Sequence, residues 1–194
     1  MERYKQELRR LIADVMPGKE HALVFGEGPM KPRLMLIGEA PGEQETLQGR
    51  PFVGKAGKNL DRFLELAQLR RDEIYISNTV KLRPSKIGRT GRVSNRPPTR
   101  EEIELFKPWL LREISLVNPL TIATLGNVPL KALTGNGMTI GQVHGAFTTS
   151  CCEGRQVFAL YHPASMIYNR SLEAVYEEDV RLLAQELRRI SEPG

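Results

Sequence analysis

The sequence predicts a three-layer α/β/α domain built on a central, mostly parallel sheet of four strands. Short apolar segments alternate with amphipathic helical segments, which is the pattern of a parallel sheet with helices on both faces. The length of 194 residues and the hydrophobic content of 40% suit one globular domain of ordinary size. We find no internal repeat and no low-complexity linker. We therefore treat residues 1–194 as one domain, with an N-terminal helix and lead-in over 1–22 and a basic loop over 81–100.

The first half of the chain predicts two helices and two strands. A helix over 2–16 has apolar residues at helical spacing and ends before a Pro-Gly pair. A buried strand over 33–37 is followed at once by the Gly-Glu-Ala-Pro-Gly turn of residues 38–42. A second helix over 56–69 leads to a strand over 74–77, which ends at Asn78.

The second half continues the same alternation. A capping box that begins at Thr99 starts a helix to about Val117. A strand over 119–125 is followed by a short helix to Leu133, and residues 142–150 predict an antiparallel strand or hairpin arm. A strand over 156–161 then leads to His162, and an amphipathic helix over 171–190 ends the pattern. The inward-facing residues predicted for that helix are Leu172, Val175, Tyr176, Leu183 and Leu187.

Several classes of protein are excluded by composition and motifs. No apolar run approaches the roughly 18 residues of a membrane helix, and the charged N-terminus lacks the apolar core of a signal peptide. The adjacent Cys151 and Cys152 offer neither a disulfide framework nor a metal motif. The segment 49–56 resembles a phosphate-binding P-loop, but it ends in Ala56 and no strand directly precedes it. We expect a cytoplasmic monomer with reduced thiols and no membrane partner.

Polar side chains follow three predicted strands at the points where the strands end. These residues are Glu39, Asn78 and His162. In open α/β sheets, ligands bind outside the carboxyl ends of the strands. We therefore expect the three side chains to converge on one site, although they lie far apart in sequence.

The positive charge of the chain is concentrated in one segment. Seven basic residues and no acidic residue lie between Ile74 and Arg100, and they account for the whole excess of positive charge behind the net charge of +5. A basic stripe of this kind is typical of phosphate or nucleic-acid binding, and the alternative is a solvated loop. The members that we expect to make such a contact are Lys81, Arg83, Arg89, Arg92 and Arg96.

Four short segments occur together in an informative order: GEAPGEQE at 38–45, GRPFVG at 49–54, NTVK at 78–81 and HPAS at 162–165. In this order and spacing they resemble the uracil-DNA glycosylase superfamily, and its family 4 in particular. The resemblance covers roughly residues 24–187. It implies an enzyme that hydrolyses the N-glycosidic bond of uracil, the product of cytosine deamination, and leaves an abasic site for base excision repair. It also implies a monofunctional glycosylase whose partner is uracil-containing DNA.

The resemblance also implies roles for individual residues, and their chemistry is suitable. Phe52 offers an aromatic face for a base that has left the helical stack. The amide of Asn78 matches the O4 and N3–H edge of uracil, and His162 can donate an N–H to O2 as charge grows there. Glu39 is the first candidate for the carboxylate that positions water, and Glu45 is the second. Ala40, in the base-binding turn, stands where the best-studied branch of the family has a catalytic aspartate.

The segment after His162 corresponds to a loop that presses into the duplex in this family. Met166 and Ile167 are the candidate apolar wedge, since apolar side chains can fill the gap between base steps. Asn169 and Arg170 are candidate DNA contacts beside it. The alternative is that this loop packs into the core.

The chain differs from family 4 where a cofactor is concerned. Members usually hold a [4Fe–4S] cluster on four cysteines, but Leu82 and Phe106 stand at two of those positions and residues 1–33 contain no cysteine. We therefore expect no iron–sulfur cluster, no other cofactor and no metal. Some relatives couple covalently to the excised site through a histidine in the inserted loop. Residues 82–100 contain no histidine, so we do not expect covalent trapping in this chain.

Alternatives to these assignments remain open. The enzyme could excise hypoxanthine or xanthine, or the chain could be a damaged-DNA binder without catalysis. Individual residues have structural alternatives as well: Phe52 as core, Asn78 as a turn cap, His162 as a loop histidine, and Glu39 as an acceptor for the backbone N–H groups of its own turn.

Overall fold

The computed structural model describes residues 1–18, 21–135, 137–149 and 155–191. Cys151 and Cys152 lie outside the described residues. The described strands are β1 Leu34–Gly38, β2 Tyr75–Asn78, β3 Ser85–Ile87, β4 Val93–Asn95, β5 Thr121–Leu125, β6 Phe147–Thr149 and β7 Gln156–Leu160. The described helices are α1 Glu2–Val15, α2 Glu43–Gln48, α3 Lys55–Ala67, α4 Arg100–Val117, α5 Asn127–Thr134, α6 Ile140–Val143, α7 Ser165–Tyr168 and α8 Glu173–Ser191. None of the described helices is long and apolar enough to cross a membrane.

The central sheet has the strand order β2-β1-β5-β7-β6. Strands β2, β1, β5 and β7 run parallel, and β6 pairs antiparallel with β7 at the edge. The mostly parallel sheet is therefore confirmed. It has five strands rather than four, because β6, which lies within the antiparallel strand or hairpin arm predicted over 142–150, joins its edge. The parallel strands are short and buried throughout or nearly so, as expected for a sheet that is covered on both faces.

Helices cover both faces of this sheet, so the three-layer arrangement is also confirmed. Alternate residues of β1 point to opposite sides: Leu34 and Leu36 pack with α3 and α8, whereas Met35 and Ile37 pack with α4. A third apolar cluster, which we call the α1 cluster, joins α1 to the start of α4. Its buried members are Tyr4, Leu8, Ile12, Phe25, Val80 and Phe106.

Three details differ from the sequence-based expectation. On α8, Val175 is exposed and Leu172 only partly buried, while Val180 and Ala184 complete the buried face. Residues 43–48 form the short helix α2, which no apolar periodicity predicts. The basic segment is a folded hairpin, because β3 and β4 pair antiparallel between residues 85 and 95.

Candidate active site

The site lies at the carboxyl ends of the parallel strands, where β1 and β2 end side by side. Gly38 is paired with Asn78 in the register of these two strands. A Cβ at Gly38 would lie 2.5 Å from Asn78 Oδ1 and 2.6 Å from the Phe52 ring, so both side chains meet over this glycine. The ring of Phe52 lies 5.9 Å from that of His162, with 30° between the planes. The structure therefore brings together Phe52, Asn78 and His162, which the sequence had placed in one site.

Phe52 is held in a fixed and unusual backbone conformation. Its φ of 53° is left-handed, which costs a residue with a Cβ roughly 1–2 kcal/mol. Surrounding groups maintain it, since the Arg71 guanidinium donates to the carbonyl oxygens of Pro51 at 2.6 Å and of Phe52 at 3.3 Å. The ring is 6% exposed and packs at the end of the α3 and α8 core, with one side facing Gly38 and His162. It is thus a core residue and a wall of the site at once.

Glu45 supports this loop, and it does not have a free carboxylate. One oxygen accepts the backbone N–H groups of Val53 at 2.9 Å and Gly54 at 2.6 Å. The other accepts the N–H of Gly42 at 3.1 Å, at the start of α2. Because both oxygens bind backbone donors, the prediction of Glu45 as a second catalytic carboxylate is corrected: it ties the 38–42 turn to the Phe52 loop.

Glu39 stands in a different environment. Its backbone oxygen accepts the N–H of Val80 at 3.0 Å, which fixes the residue at the end of β1. Its side chain is partly buried, and this burial raises the pKa of the carboxyl group. Within the described part of the chain, no group hydrogen-bonds the Glu39 carboxylate, and the N–H of Gly42 in the same turn bonds Glu45 instead. A partly buried carboxylate with free oxygens is suited to bind and polarise water.

Ala40 continues the turn and points elsewhere. It packs against the α1 cluster. A methyl group at this position brings no second carboxylate into the site, so Glu39 is the acidic side chain that the 38–42 turn contributes.

His162 is oriented by its own loop. The backbone N–H of Ala164 donates to Nδ1 at 3.1 Å, so Nδ1 is an acceptor and the ring proton of the neutral form is on Nε2. Burial lowers the pKa of His162 to about 4. Near neutral pH the residue is therefore an uncharged imidazole that presents an Nε2–H donor.

Lys81 does not reach the surface. Its side chain is fully buried, and Nζ lies 2.6 Å from a carboxylate oxygen of Glu113, which is equally buried. A lysine in this position cannot contact a DNA phosphate, so that prediction is wrong. The nearby Asn78 is 3% exposed, and its backbone oxygen accepts from the same Nζ at 2.6 Å.

The other basic residues of the segment divide into two groups. Arg83 bonds Asn95 at 2.7 Å and pairs with Glu43, and Arg96 binds both oxygens of Glu102 at 2.7 Å. These two side chains hold the hairpin to α2 and α4, a local role that was not predicted, and their contact with DNA stays a prediction. The exposed basic residues of the hairpin are Lys86, Arg89 and Arg92.

The loop after His162 is anchored by α3, because Asn59 donates to the carbonyl oxygen of Pro163 at 2.8 Å. Met166 is partly buried against the α3 and α8 core, as the alternative of a packed loop expects. The side chain of Ile167 lies outside the described part of the structure. Tyr168 is 88% exposed, and it is the large side chain that α7 presents to solvent. No wedge role was predicted for it.

Asn169 caps the short turn that follows α7. Its Oδ1 accepts from the backbone N–H and the hydroxyl of Ser171, at 3.1 Å and 2.7 Å. Arg170, which follows it, is exposed. Of the two predicted DNA contacts, Asn169 thus has a local structural role, and Arg170 has its side chain at the surface.

Apolar side chains occupy the two positions at which the resemblance to family 4 implies cluster-binding cysteines. Phe106 is buried within the α1 cluster and Leu82 packs against it, and neither carries a ligating atom. Among the described residues, no group of three His, Cys, Asp or Glu side chains could hold a metal. The residues at these positions therefore do not fit an iron–sulfur cluster.

Comparison with known proteins identifies the family. The profile of the uracil DNA glycosylase superfamily matches residues 25–187. A Type-4 uracil-DNA glycosylase of Saccharolobus solfataricus is 40% identical over 171 residues, which cover 84% of this chain and 76% of that protein. A Type-4 uracil-DNA glycosylase of Thermotoga maritima is 34% identical over 183 residues, which cover 93% of this chain and 91% of that protein.

A solved structure shows the same fold at much lower identity. The crystal structure of SMUG2 from Pedobacter heparinus matches with a TM-score of 0.57 at 14% identity, over 83% of this chain and 77% of that chain. The resemblance of the four motif segments to family 4 is confirmed by the Type-4 relatives. The chain belongs to the uracil DNA glycosylase superfamily and is a DNA glycosylase.

Proposed function

We propose that this protein is a monofunctional glycosylase that removes uracil from DNA and initiates base excision repair. The observation that carries the proposal is the meeting of Asn78 and Phe52 over Gly38, with the His162 ring beside them. This arrangement provides one hydrogen-bonding side chain, one aromatic face and one neutral donor at a single strand edge. The Type-4 uracil-DNA glycosylases among the relatives support uracil as the base.

In the reaction, the uracil leaves the DNA stack and lies against Phe52. The Asn78 amide donates to O4 and accepts from N3–H, while His162 donates its Nε2–H to O2. The C1′–N1 bond breaks, and its electron pair moves onto the uracil ring, where negative charge gathers at O2. Because the His162 donor is already oriented, it stabilises this charge without reorganisation.

Glu39 acts on the sugar side of the same bond. Its carboxylate accepts a hydrogen bond from a water molecule, whose oxygen forms the new bond to C1′. The proton of that water passes to the carboxylate, which then releases it to solvent, and the leaving uracil anion takes up a proton from solvent. The products are free uracil and an abasic sugar.

The position of Lys81 removes one candidate amine for a strand-cutting reaction. Glycosylases that also cut the strand need an amine nucleophile, which forms a Schiff base with the sugar. Lys81 is the lysine nearest to Asn78 in sequence, and its ammonium group is buried in an ion pair. It is not available to attack C1′.

The hairpin is proposed as the DNA-backbone contact. Lys86, Arg89 and Arg92 are exposed on it, and Arg83 and Arg96 hold it against the body of the protein. Basic side chains at this position supply affinity that depends on salt and is independent of the base.

The test is an excision assay on oligonucleotides that carry one modified base, followed by alkaline cleavage of abasic sites. We expect cleavage of uracil-containing strands, and cleavage without alkali is not expected from a monofunctional enzyme. Asn78→Ala and His162→Ala should each remove most of the activity, and Thr149→Ala, an exposed change on the edge strand β6, is the control. Activity on hypoxanthine or xanthine but not on uracil would overturn the substrate assignment, and tight binding without cleavage would overturn the catalytic one.

A further inference from the structure

A buried charged network lies directly behind the proposed base-recognising residue. Lys81 Nζ is 2.6 Å from Glu113 Oε2, 2.6 Å from Ser77 Oγ and 2.6 Å from the backbone oxygen of Asn78. An ammonium group has three donors, so each of them has a partner here. Two of the three partners belong to the last two residues of β2.

Glu113 connects the same strand to α4. It accepts the hydroxyl of Ser77 at 2.8 Å and the hydroxyl of Tyr75 at 3.2 Å, in addition to Lys81. Gly26 closes the network on one side, since a Cβ there would lie 2.6 Å from Glu113 and 2.9 Å from the Ser77 hydroxyl. Lys81 and Glu113 are both 0% exposed, so the charges depend on each other rather than on solvent.

Such a pair is a poor source of stability. The desolvation of two buried charges offsets most of their attraction, and apolar pairs of similar volume often stabilise a core equally well. What the pair does supply is a defined geometry, because charge-assisted hydrogen bonds are short and geometrically demanding. Here one such hydrogen bond orients the backbone carbonyl group of Asn78.

We infer that Lys81 and Glu113 are positioning residues for Asn78. They fix the end of β2 so that the Asn78 amide lies over Gly38 in the orientation that uracil requires. This inference rests on the proposed function, because it names how that same site obtains its base selectivity. Neither residue touches the base or the sugar.

The test uses a double variant, Lys81→Met with Glu113→Gln, since either single change could leave one buried charge and unfold the protein. We expect a loss of uracil excision of about tenfold or more, within the range of coupling between groups in one hydrogen-bond network. Competition by free uracil should weaken in parallel, because it reports base recognition without bond cleavage. Ile114→Ala, a buried change on the same face of α4, is the control for lost stability alone.

A double-mutant cycle then separates positioning from general support. In an Asn78→Ala background the same double change should alter excision by less than about twofold, since its effect passes through the missing amide. Losses that simply multiply would overturn the inference. So would a loss in the Ile114→Ala control as large as that in the double variant.

Amide hydrogen exchange tests the inference separately from the proposed function, because it does not depend on enzymatic activity. The N–H groups of Thr79 and Val80 bond the carbonyl oxygens of Gly38 and Glu39, at 2.8 Å and 3.0 Å. In the double variant their hydrogen exchange should accelerate about tenfold relative to amides of β5, because this strand end opens locally. Unchanged exchange would overturn the positioning role even if uracil excision is confirmed. An inactive wild-type protein would overturn the proposed function while leaving this measurement to decide the inference.

Discussion

Asn78 Oδ1 lies 2.5 Å from the place that a Cβ on Gly38 would occupy. The two residues are paired in the register of neighbouring parallel strands, so their relative position is set by the sheet and not by a flexible loop. A side chain on Gly38 would occupy the space in which the amide and the Phe52 ring meet. The absence of a side chain at Gly38 therefore makes room for the Asn78 amide at the end of the neighbouring strand.

Gly38→Ala should strongly reduce uracil excision. Both close contacts of the added methyl group are with buried side chains, and overpacking of this kind costs about 1–3 kcal/mol. We expect excision to fall by about tenfold to a hundredfold, from displacement of Asn78 and Phe52. Gly137→Ala is the matched control, because a Cβ there meets nothing within 4 Å. Single-turnover rates of both variants measure the difference, and equal rates would show that the site tolerates a side chain at Gly38.

Glu39→Gln should slow excision and change its dependence on pH. Burial raises the pKa of the Glu39 carboxyl group above its usual value of 4.5, so the base is lost as the pH falls through that raised pKa. The loss of a general base costs about 10²–10⁴ in rate. A pH–rate profile should show an acidic limb in the wild type that is absent in the variant. An acidic limb retained in Glu39→Gln would assign it to another group.

His162→Gln should change how stability depends on pH. Burial lowers the pKa of His162 from 6.5 to about 4, so between these values the unfolded chain binds a proton that the folded chain does not. Folding stability from this group is therefore complete above pH 6.5 and is lost as the pH falls toward about 4. Urea unfolding at a series of pH values should show a steeper decline over this interval in the wild type than in His162→Gln. Parallel curves would contradict the lowered pKa.

Arg89→Gln with Arg92→Gln should weaken DNA binding without changing which base is removed. Each lost phosphate contact reduces the slope of log K against log salt concentration by about 0.9. Binding titrations at several salt concentrations should therefore give a shallower slope. Arg181→Gln, an exposed arginine on α8, is the control for the loss of surface charge. An unchanged slope would favour the alternative, in which the hairpin is a solvated loop without a DNA contact.

Glu45→Ala should behave as the loss of a structural clamp. Three backbone N–H groups would lose their carboxylate acceptor, and hydrogen bonds to charged groups contribute about 1.5–3 kcal/mol each. We expect a lower melting temperature and weaker inhibition by free uracil, because the Phe52 loop loosens. The acidic limb of the pH–rate profile should stay where it is. A shifted limb would restore a direct catalytic role for Glu45.

The sequence was sufficient to predict the parallel sheet and the residues at its strand ends, because ligands in open α/β sheets bind outside the carboxyl ends of the strands. It did not reveal the hairpin between residues 85 and 95. Those strands are short and mostly exposed, so they carry no apolar alternation, and they depend on the Arg83–Asn95 and Arg96–Glu102 contacts. Helix α2 was not predicted either, because it is only six residues long and has no apolar periodicity. Its capping residue Glu45 also bonds the distant Phe52 loop.

The burial of Lys81 also ran against expectation, because lysines are almost never fully buried unless they are paired. One signal was present in the sequence. Glu113 falls on the same helical face as Leu110, Ile114 and Val117, which are all buried in α4. A carboxylate within an apolar stripe requires a buried partner. A pattern of that kind indicates that a cation is near, although it does not identify which one.

The left-handed backbone of Phe52 has a consequence for the order of events on DNA. Arg71 and Glu45 hold the loop in that conformation within the protein itself, so the unfavourable geometry is established during folding. A stacking surface that already exists in the free enzyme needs no closing movement when a base arrives. On the proposed function, the conformational change that brings a base to Phe52 is therefore made by the nucleic acid and not by this loop.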